Sequence, residues 1–471
     1  MLVLAICCMS LFIVGLDVTI VNIALPSIRR DLDASVSGLQ WIIDAYTVVL
    51  AGLLMLSGST ADRIGRRRTF QTGLALFTLG SLLCSLAPGL GWLIAARALQ
   101  AVGGSMLNPV AMSIITNTFT EPRERARAIG VWGGVSGVSM ALGPLVGGSL
   151  VGAVGWQSIF WINIPVGVAA FVLCALFVPE SRAPRPRRVD PVGQVLVIVM
   201  LVTLTYGLIE APAVGWGSPC TLGCFAVAAL ALAGLVGYEL RTEEPLIELR
   251  FFRSVPFAGA TVTAVCGFAA FGGFLFVNTL YLQNVLGLSA LHAGLYTLPM
   301  AGLTVICSPL SGRIVAASGT RIPLLLAGVT IGASGLIMTG LAPDTPLWRL
   351  MAAYVLFGLG FGMLNAPITN TAVSGMPRAQ AGVAAAVTST SRQIGQTLGV
   401  AIIGSLVTSA VAGPFATHFP QASHIGWWIV TGCGSAIVLL AILTTTGWAR
   451  RSATRTAERL AHSPDRTAAT S

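Results

Sequence analysis

Five ionisable side chains stand out inside runs otherwise made of apolar and small residues. They are Asp17 in GLDVTIVNIALP, Asp44 in WIIDAYTVVLAG, Arg97 in RALQAVGGS, Glu210 in YGLIEAPAV and Arg392 in TSTSRQIGQTLG. A carboxylate near the middle of a membrane helix costs about 2.5–3.5 kcal/mol even on the lenient insertion scale, so each marks a position with a task. Counted along helices rising about 1.5 Å per residue, Asp17, Asp44 and Arg97 share one level in the outer half of the first bundle. A carboxylate beside a guanidinium stays ionised, whereas one separated from it in an apolar surrounding takes up a proton. That is the chemistry of a proton carrier whose affinity changes with conformation. The trio also reads as a structural ion pair, but two carboxylates to one arginine leave a charge over. Glu210 reads as a weaker candidate beside Pro212, and Arg392 as a gating or helix-packing residue.

The elements that position these groups follow from composition. The 471 residues are 55% hydrophobic and 9% charged, with a mean hydropathy of +0.84; a typical soluble domain is about 25% charged. Apolar runs near 20 residues, each long enough to cross the roughly 30 Å hydrocarbon core, fall at about 2–25, 39–58, 70–88, 91–115, 129–152, 159–178, 191–211 and 220–238. Six more follow near 257–281, 293–312, 322–342, 347–372, 381–411 and 426–448. The expectation is an all-α polytopic membrane protein with 14 transmembrane helices. All 27 basic residues are arginine, and most fall in alternate loops, among them those with Arg63–Arg68, Arg123–Arg127, Arg182–Arg188 and Arg241–Arg253. Only Arg29 and Arg30 fall in the opposite loops. By the positive-inside rule both termini are cytoplasmic, and the net charge of +10 reports topology rather than a nucleic-acid partner.

Two charged breaks, PESRAPRPRRVDP (179–191) and ELRTEEPLIELRFFRSVP (239–256), divide the chain. The expected parts are a six-helix bundle over 1–178, a two-helix insert with its linkers over 179–256, a second six-helix bundle over 257–449 and a cytoplasmic tail over 450–471. This 6+2+6 plan suggests the internal repeats of secondary transporters. The nine cysteines lie in or beside apolar runs and read as membrane filler, with no metal-ligand spacing. No nucleophile–base pair or phosphate loop stands out, which argues against an enzyme and against a self-contained ATP-driven pump. The chain begins almost at its first span, which points to a start codon further upstream or to truncation.

Three motifs carry a sharper signal. GSTADRIGRRRTF (58–70) resembles the signature loop of the major facilitator superfamily, with Gly58, Asp62, Arg63, Gly65 and Arg66 in place. RALQAVGGS (97–105) resembles its fourth-span motif, with Ala101 where glycine is usual. GVSGVSMALGPLVGG (134–148) resembles the antiporter motif of span five, through Gly137, Gly143, Pro144, Gly147 and Gly148. With LDVTIVNIALP, WIIDAYTVVLAG, WQSIFWINIPVG, NTLYLQNVLGLSALHAGLYTLP and SRQIGQTLGVAIIG, the likeness extends to the fourteen-span drug:proton antiporters and covers nearly the whole chain. Departures are Gln157, where a basic residue is usual, and SPLSGRIVAASGTR (308–321), which lacks the signature aspartate.

The resemblance implies a major facilitator fold in a bacterial plasma membrane, exporting a small drug or antibiotic in exchange for protons, as a monomer with no cofactor or metal. It implies that Asp17 and Asp44 respond to proton and substrate with Arg97 as their partner. Asp62 would meet an opposing helix end and Arg66 a charge relay, together latching the outward-open state. Trp41, Tyr46, Phe271, Phe274, Tyr281 and Phe361, with Glu210 and Arg392, are candidates for the substrate lining or its gate. A proton-coupled nutrient importer is the alternative within transport; a receptor or scaffold is the alternative outside it.

Overall fold

The computed structural model describes residues 1–183, 189–242, 245–374, 376, 380–411 and 413–461, so Arg185, Arg187, Arg188, Arg378 and Arg466 lie outside it. The first part of the chain forms α1 (Leu2–Asp31), α2 (Val36–Ile64), α3 (Arg66–Ser85), α4 (Leu90–Thr118), α5 (Pro122–Ala153), α6 (Ser158–Trp161) and α7 (Asn163–Phe177). A hairpin of α8 (Pro191–Val214) and α9 (Pro219–Glu239) follows, then a 3-10 turn at Leu249–Arg253. The rest forms α10 (Val255–Leu280) with a π turn at Tyr281–Val285, α11 (Ala290–Ser318), α12 (Arg321–Met338), α13 (Leu347–Val373), α14 (Ala381–Ala410), α15 (Phe415–Thr444) and α16 (Gly447–Ala461). Thirteen helical segments among the described residues are long and apolar enough to cross a membrane. The helix α3 is not one of them, because it opens on Arg66, Arg67 and Arg68, yet it packs between α4 and α7.

Local chemistry explains the helix ends. Ser35, Ser218 and Ser289 accept from the backbone N–H three residues on, and Asp190 Oδ1 accepts from Gly193 N at 2.9 Å. These bonds satisfy donors that a helix start leaves orphaned. Several boundaries differ from the sequence expectation. The first helix continues through Pro26 to Asp31, with Arg29 and Arg30 in its last turn, where cations offset the helix dipole. Asp17 therefore lies midway along α1 rather than about two thirds of the way outward. The sixth expected span is two helices, α6 and α7. The expected loop at 58–70 is a one-residue break at Gly65, whose φ of +128° favours glycine and whose Cβ would strike the Glu180 carboxylate.

The helices form two groups that converge at one end. At the end where α2, α4 and α11 begin, which is poor in arginine, one apolar core runs through both groups, from Leu16, Ile20 and Leu39 to Phe274, Leu280 and Val407. At the arginine-rich end each group keeps a separate core. One contains Leu4, Phe70 and Ile115, and the other Phe257, Ala384 and Leu460. The seam between α5 and α11 follows the same pattern. A Cβ on Gly148 would lie 2.6 Å from Ala290 O, whereas one on Gly130, Gly133 or Gly134, further along α5, would meet nothing within 4 Å. The molecule is thus closed at the arginine-poor end, and α5 and α11 separate toward the other. The α8–α9 hairpin lies against α2 and α14, where Val197 and Leu201 pack with Val48 and Ala51 and Gln194 Nε2 donates to Gly52 O.

Candidate functional site

Asp17, on α1, and Arg97, on α4, meet as a buried ion pair, with Arg97 Nη1 2.5 Å from Asp17 Oδ2 and exposures of 2% and 0%. Neither charge lacks a partner. Gln100 Nε2 donates to Asp17 Oδ1 at 3.0 Å, and Asn163 Nδ2 reaches the same oxygen at 3.4 Å. Arg97 Nη1 also donates to Gln100 Oε1 at 2.7 Å, Arg97 Nε to Ile42 O at 3.1 Å, and the guanidinium lies 4.3 Å from the Tyr46 ring centre. Ser81 Oγ accepts from both Gln100 and Asn163. Five helices (α1, α2, α3, α4 and α7) therefore contribute to one network. A buried ion pair is tolerated when further hydrogen bonds satisfy the remaining lone pairs and protons, as they do here.

Asp44 is equally buried but differently placed. Its Oδ1 accepts from Thr47 Oγ1 at 3.3 Å, its Oδ2 has no partner, and among the described residues no cation pairs with it. Arg97 contacts the backbone of α2 at Ile42 and not Asp44. Gln40, Asp44 and Thr47 follow helical spacing along the face of α2 that meets α14. Gln40 Nε2 donates to Val400 O at 2.9 Å and to Ala401 O at 3.2 Å, and Thr397 Oγ1 donates to Thr47 Oγ1 at 2.8 Å. A chain of two hydroxyls thus joins the Asp44 carboxylate to the opposite group of helices.

The glycine-rich part of α5 packs on both sides. Gly143 and Gly147 admit Thr19 and Ile20 of α1, and Gly148 admits the start of α11. Pro144 has no N–H, so the carbonyl of Met140 loses its helical donor. Thr19 Oγ1, two residues from Asp17, donates to that carbonyl at 3.2 Å. The same device recurs in α13, where Pro367 frees Met363 O and Ser311 Oγ donates to it at 2.9 Å. Gly137 makes the last α5–α11 approach, its Cβ position 3.8 Å from Val305.

The signature segment bonds within its own group of helices. Asp62 Oδ1 pairs with Arg66 Nη2 at 3.1 Å, Asp62 O accepts from Ala183 N, and Arg66 N donates to Ser181 O. Glu180 takes Arg67 N and Arg68, while Arg63 is exposed and Gly58 lies within α2 with open space around it. Among the described residues Asp62 forms no ion pair or hydrogen bond with an opposing helix end in this conformation.

The aromatic candidates separate. Trp41 Nε1 donates to Glu210 Oε1 at 2.9 Å, giving Glu210 a partner across the α2–α8 seam. Phe271 stacks on Phe361 at 4.2 Å, and Phe268 links the stack to Arg392, whose guanidinium is 5.9 Å from its ring. Arg392 donates to Thr369 Oγ1 at 2.6 Å, and its Nε has no partner. Phe357, 6.3 Å from Phe361, continues the stack to Phe274 at 4.2 Å, while Tyr281 lies apart. Phe274 is enclosed by Tyr354, Phe357 and Trp427, and Tyr281 Oη ties the π turn to Ala342 O at 2.7 Å. Tyr46 lies under Arg97 rather than at a surface. Among the described residues no three His, Cys, Asp or Glu side chains converge as a metal site would require.

Comparison with known proteins gives this arrangement a family. Residues 7–400 match the Major Facilitator Superfamily. The chain belongs to the major facilitator superfamily. A solved structure of a bacterial homologue of the human drug peptide transporters PepT1 and PepT2 shares its fold, with a TM-score of 0.65 at 14% identity over 98% of this chain and 99% of that one. Among curated members, the tetracenomycin C resistance and export protein of Streptomyces glaucescens is 39% identical over 88% of this chain and 77% of its own length. The multidrug resistance protein Stp of Mycobacterium tuberculosis is 36% identical over the same shares. The puromycin resistance protein pur8 of Streptomyces alboniger is 38% identical over 86% of this chain and 81% of its own. The superfamily places the chain among multi-pass membrane transporters rather than enzymes.

Three partners of the ion pair escaped the sequence reading. Gln100 stands one turn after Arg97 in RALQAVGGS and Asn163 stands in WQSIFWINIPVG, both polar residues in apolar spans. That signal was present; Ser81, a small polar residue among many, gave none.

Proposed function

We propose that this protein is a proton-coupled exporter of small amphipathic compounds, drugs or antibiotics among them, acting as a monomer in a bacterial plasma membrane. Fourteen helices in a 6+2+6 plan, with both termini cytoplasmic, follow from α3 completing the thirteen apolar segments and from the arginine asymmetry. On that orientation the arginine-poor end faces outward, and the conformation is inward-facing. The bundles then comprise residues 1–178 and 257–449, with the insert at 179–256 and the tail at 450–471. The relatives, named for resistance and, in one case, export, favour the outward direction over an importer.

The observation that carries the mechanism is the contrast between two buried carboxylates. Asp17 is fully matched by Arg97 in this conformation. Asp44 has no cation, and an unmatched buried charge is disfavoured strongly enough that the group is neutral instead. Asp44 therefore carries the proton in the inward-facing state. Opening the outer end moves α2 from α14, breaks the Thr47–Thr397 bond and changes the surroundings of Asp44, coupling its proton to the alternation. Asp62 and Arg66 exchange their internal bonds for a latch across the inner end in the outward-facing state. Trp41 and Glu210 at the insert seam, and Arg392 with Phe268, Phe271 and Phe361, contact the passing compound or gate it. One proton moving down 100 mV delivers about 2.3 kcal/mol, which at about 1.4 kcal/mol per decade sustains a ratio of roughly fifty-fold for a neutral compound.

The test is a proton flux measurement in energised inside-out vesicles, with a pH-sensitive dye and a panel of cationic and neutral antibiotics. Addition of a substrate releases protons from vesicles with the wild-type protein and not from those with Asp44→Asn. Absence of any substrate-triggered flux with a correctly inserted protein would overturn the reading.

A further inference from the structure

Near the arginine-rich end, α16 folds back against the first helix of the second bundle. Ala449, Ala453, Thr456 and Leu460, spaced at helical period, are its buried face. Leu460 joins an apolar cluster with Phe251 and Phe257, and Ser452 Oγ accepts from Val255 N at 3.0 Å, at the very start of α10. Between α16 and the Leu249–Arg253 turn lies a cavity of about 330 Å³ lined by Arg250, Arg253, Thr456, Arg459 and Leu460. Arg250 is held by Glu248 at 3.7 Å, and Glu458 stands beside Arg459 in sequence. Arg253 and Arg459 pair with no carboxylate among the described residues. Phe252, in the turn, and Trp448, at the start of α16, are exposed aromatic side chains, at 40% and 60%.

The geometry points to a binding site for the phosphate-bearing headgroup of an anionic phospholipid in the inner leaflet. Two unpaired guanidiniums converge from separate segments, and guanidinium geometry matches phosphate oxygens. The N-terminal end of α10 adds its partial positive charge. Arginines immediately beside a membrane helix are where anionic headgroups meet a protein. The apolar side of Leu460 suits the glycerol and upper acyl carbons that follow the phosphate. The bound headgroup would join α16 and the linker to the first helix of the second bundle. This site rests on the membrane orientation proposed above, and not on the direction of transport.

The test uses full-length protein in nanodiscs of phosphatidylcholine with a small fraction of phosphatidylglycerol, and counts the phosphatidylglycerol retained after delipidation by native mass spectrometry. The double variant R253Q/R459Q, whose side chains are exposed, should retain phosphatidylglycerol about thirty-fold more weakly, as expected for two arginines at a membrane surface. The control variant R450Q/R451Q removes the same charge from α16 outside the cavity and should retain it as the wild type does. Equal loss in both variants, or in neither, overturns the site. Inorganic phosphate added to pure phosphatidylcholine discs separates the two sources of this chemistry. A rise in wild-type melting temperature with phosphatidylglycerol but not with phosphate supports a lipid site, and the same rise with phosphate alone overturns the lipid assignment. Because these readouts need no transport, their failure would leave the export reading intact.

Discussion

Asp17 and Asp44 are the same side chain at similar burial, on adjacent helices of one bundle, yet their surroundings are opposite. Asp17 is held inside the first bundle by Arg97, Gln100 and Asn163, all of which would move with it as a rigid body. Asp44 has one hydroxyl partner, and that hydroxyl is bonded to Thr397 of the other bundle. Only the second arrangement changes when the bundles move relative to each other. The comparison teaches that burial alone does not select a proton carrier. A carboxylate can respond to alternation when its partners belong to the moving interface and no local cation fixes its charge.

The largest effect should come from destroying the matched pair. Arg97→Ala leaves Asp17 buried without its cation, and the loss of one partner of such a pair costs about 3–5 kcal/mol. Thermal melting should fall sharply and export should vanish. The double variant Asp17→Asn/Arg97→Gln should recover most of the melting temperature without recovering transport. If it does not recover stability, the pair is not the reason Arg97 matters. Next in size is Gly148→Val at the closed outer end, where the added side chain meets Ala290 O and Leu291. Overpacking of this kind costs about 1–3 kcal/mol, and spin-label distances between α5 and α11 at that end should lengthen as the population shifts outward-facing.

Asp44→Asn should divide the two carboxylates most cleanly. Its stability should stay within about 1 kcal/mol of wild type, because no ion pair is lost. Proton-driven export should fall by about tenfold or more, equivalent to about 1.4 kcal/mol, while energy-independent substrate exchange persists. Thr397→Val removes the hydroxyl bond between bundles, worth about 1 kcal/mol, and should displace the pH dependence of export. Combined with Thr47→Val it should add little, since both act on one chain of bonds. The smallest effect belongs to Trp41→Phe, which removes the bond to Glu210 and should weaken substrate binding by about 0.5–1.5 kcal/mol without altering proton coupling.

Much of this was legible in the sequence because membrane helices announce themselves. Twenty-residue apolar runs mark where the long helices lie, and charges in such runs are costly enough to mark themselves. The meeting of Asp17 with Arg97 was therefore within reach. The separation of Asp44 was not, since counting depth along straight helices says nothing about the face a residue presents. Helix ends were misjudged where polar residues continue a helix beyond the apolar stretch, as at Pro26–Asp31. The signature segment read as a loop because a single positive-φ glycine ends one helix and starts the next with no intervening turn. Which aromatic rings join one stack was not legible either, because such rings fill a helix-bundle interior as readily as they line a passage.

The central claim, that Asp44 and not Asp17 holds the proton in the inward-facing state, is tested most directly by infrared spectroscopy of the protonated carboxyl group. Purified protein in the inward-facing conformation should give a carboxylic-acid carbonyl band at neutral pH. The account predicts that Asp44→Asn removes the band and that Asp17→Asn leaves it in place. A band that survives in Asp44→Asn and disappears in Asp17→Asn would contradict it.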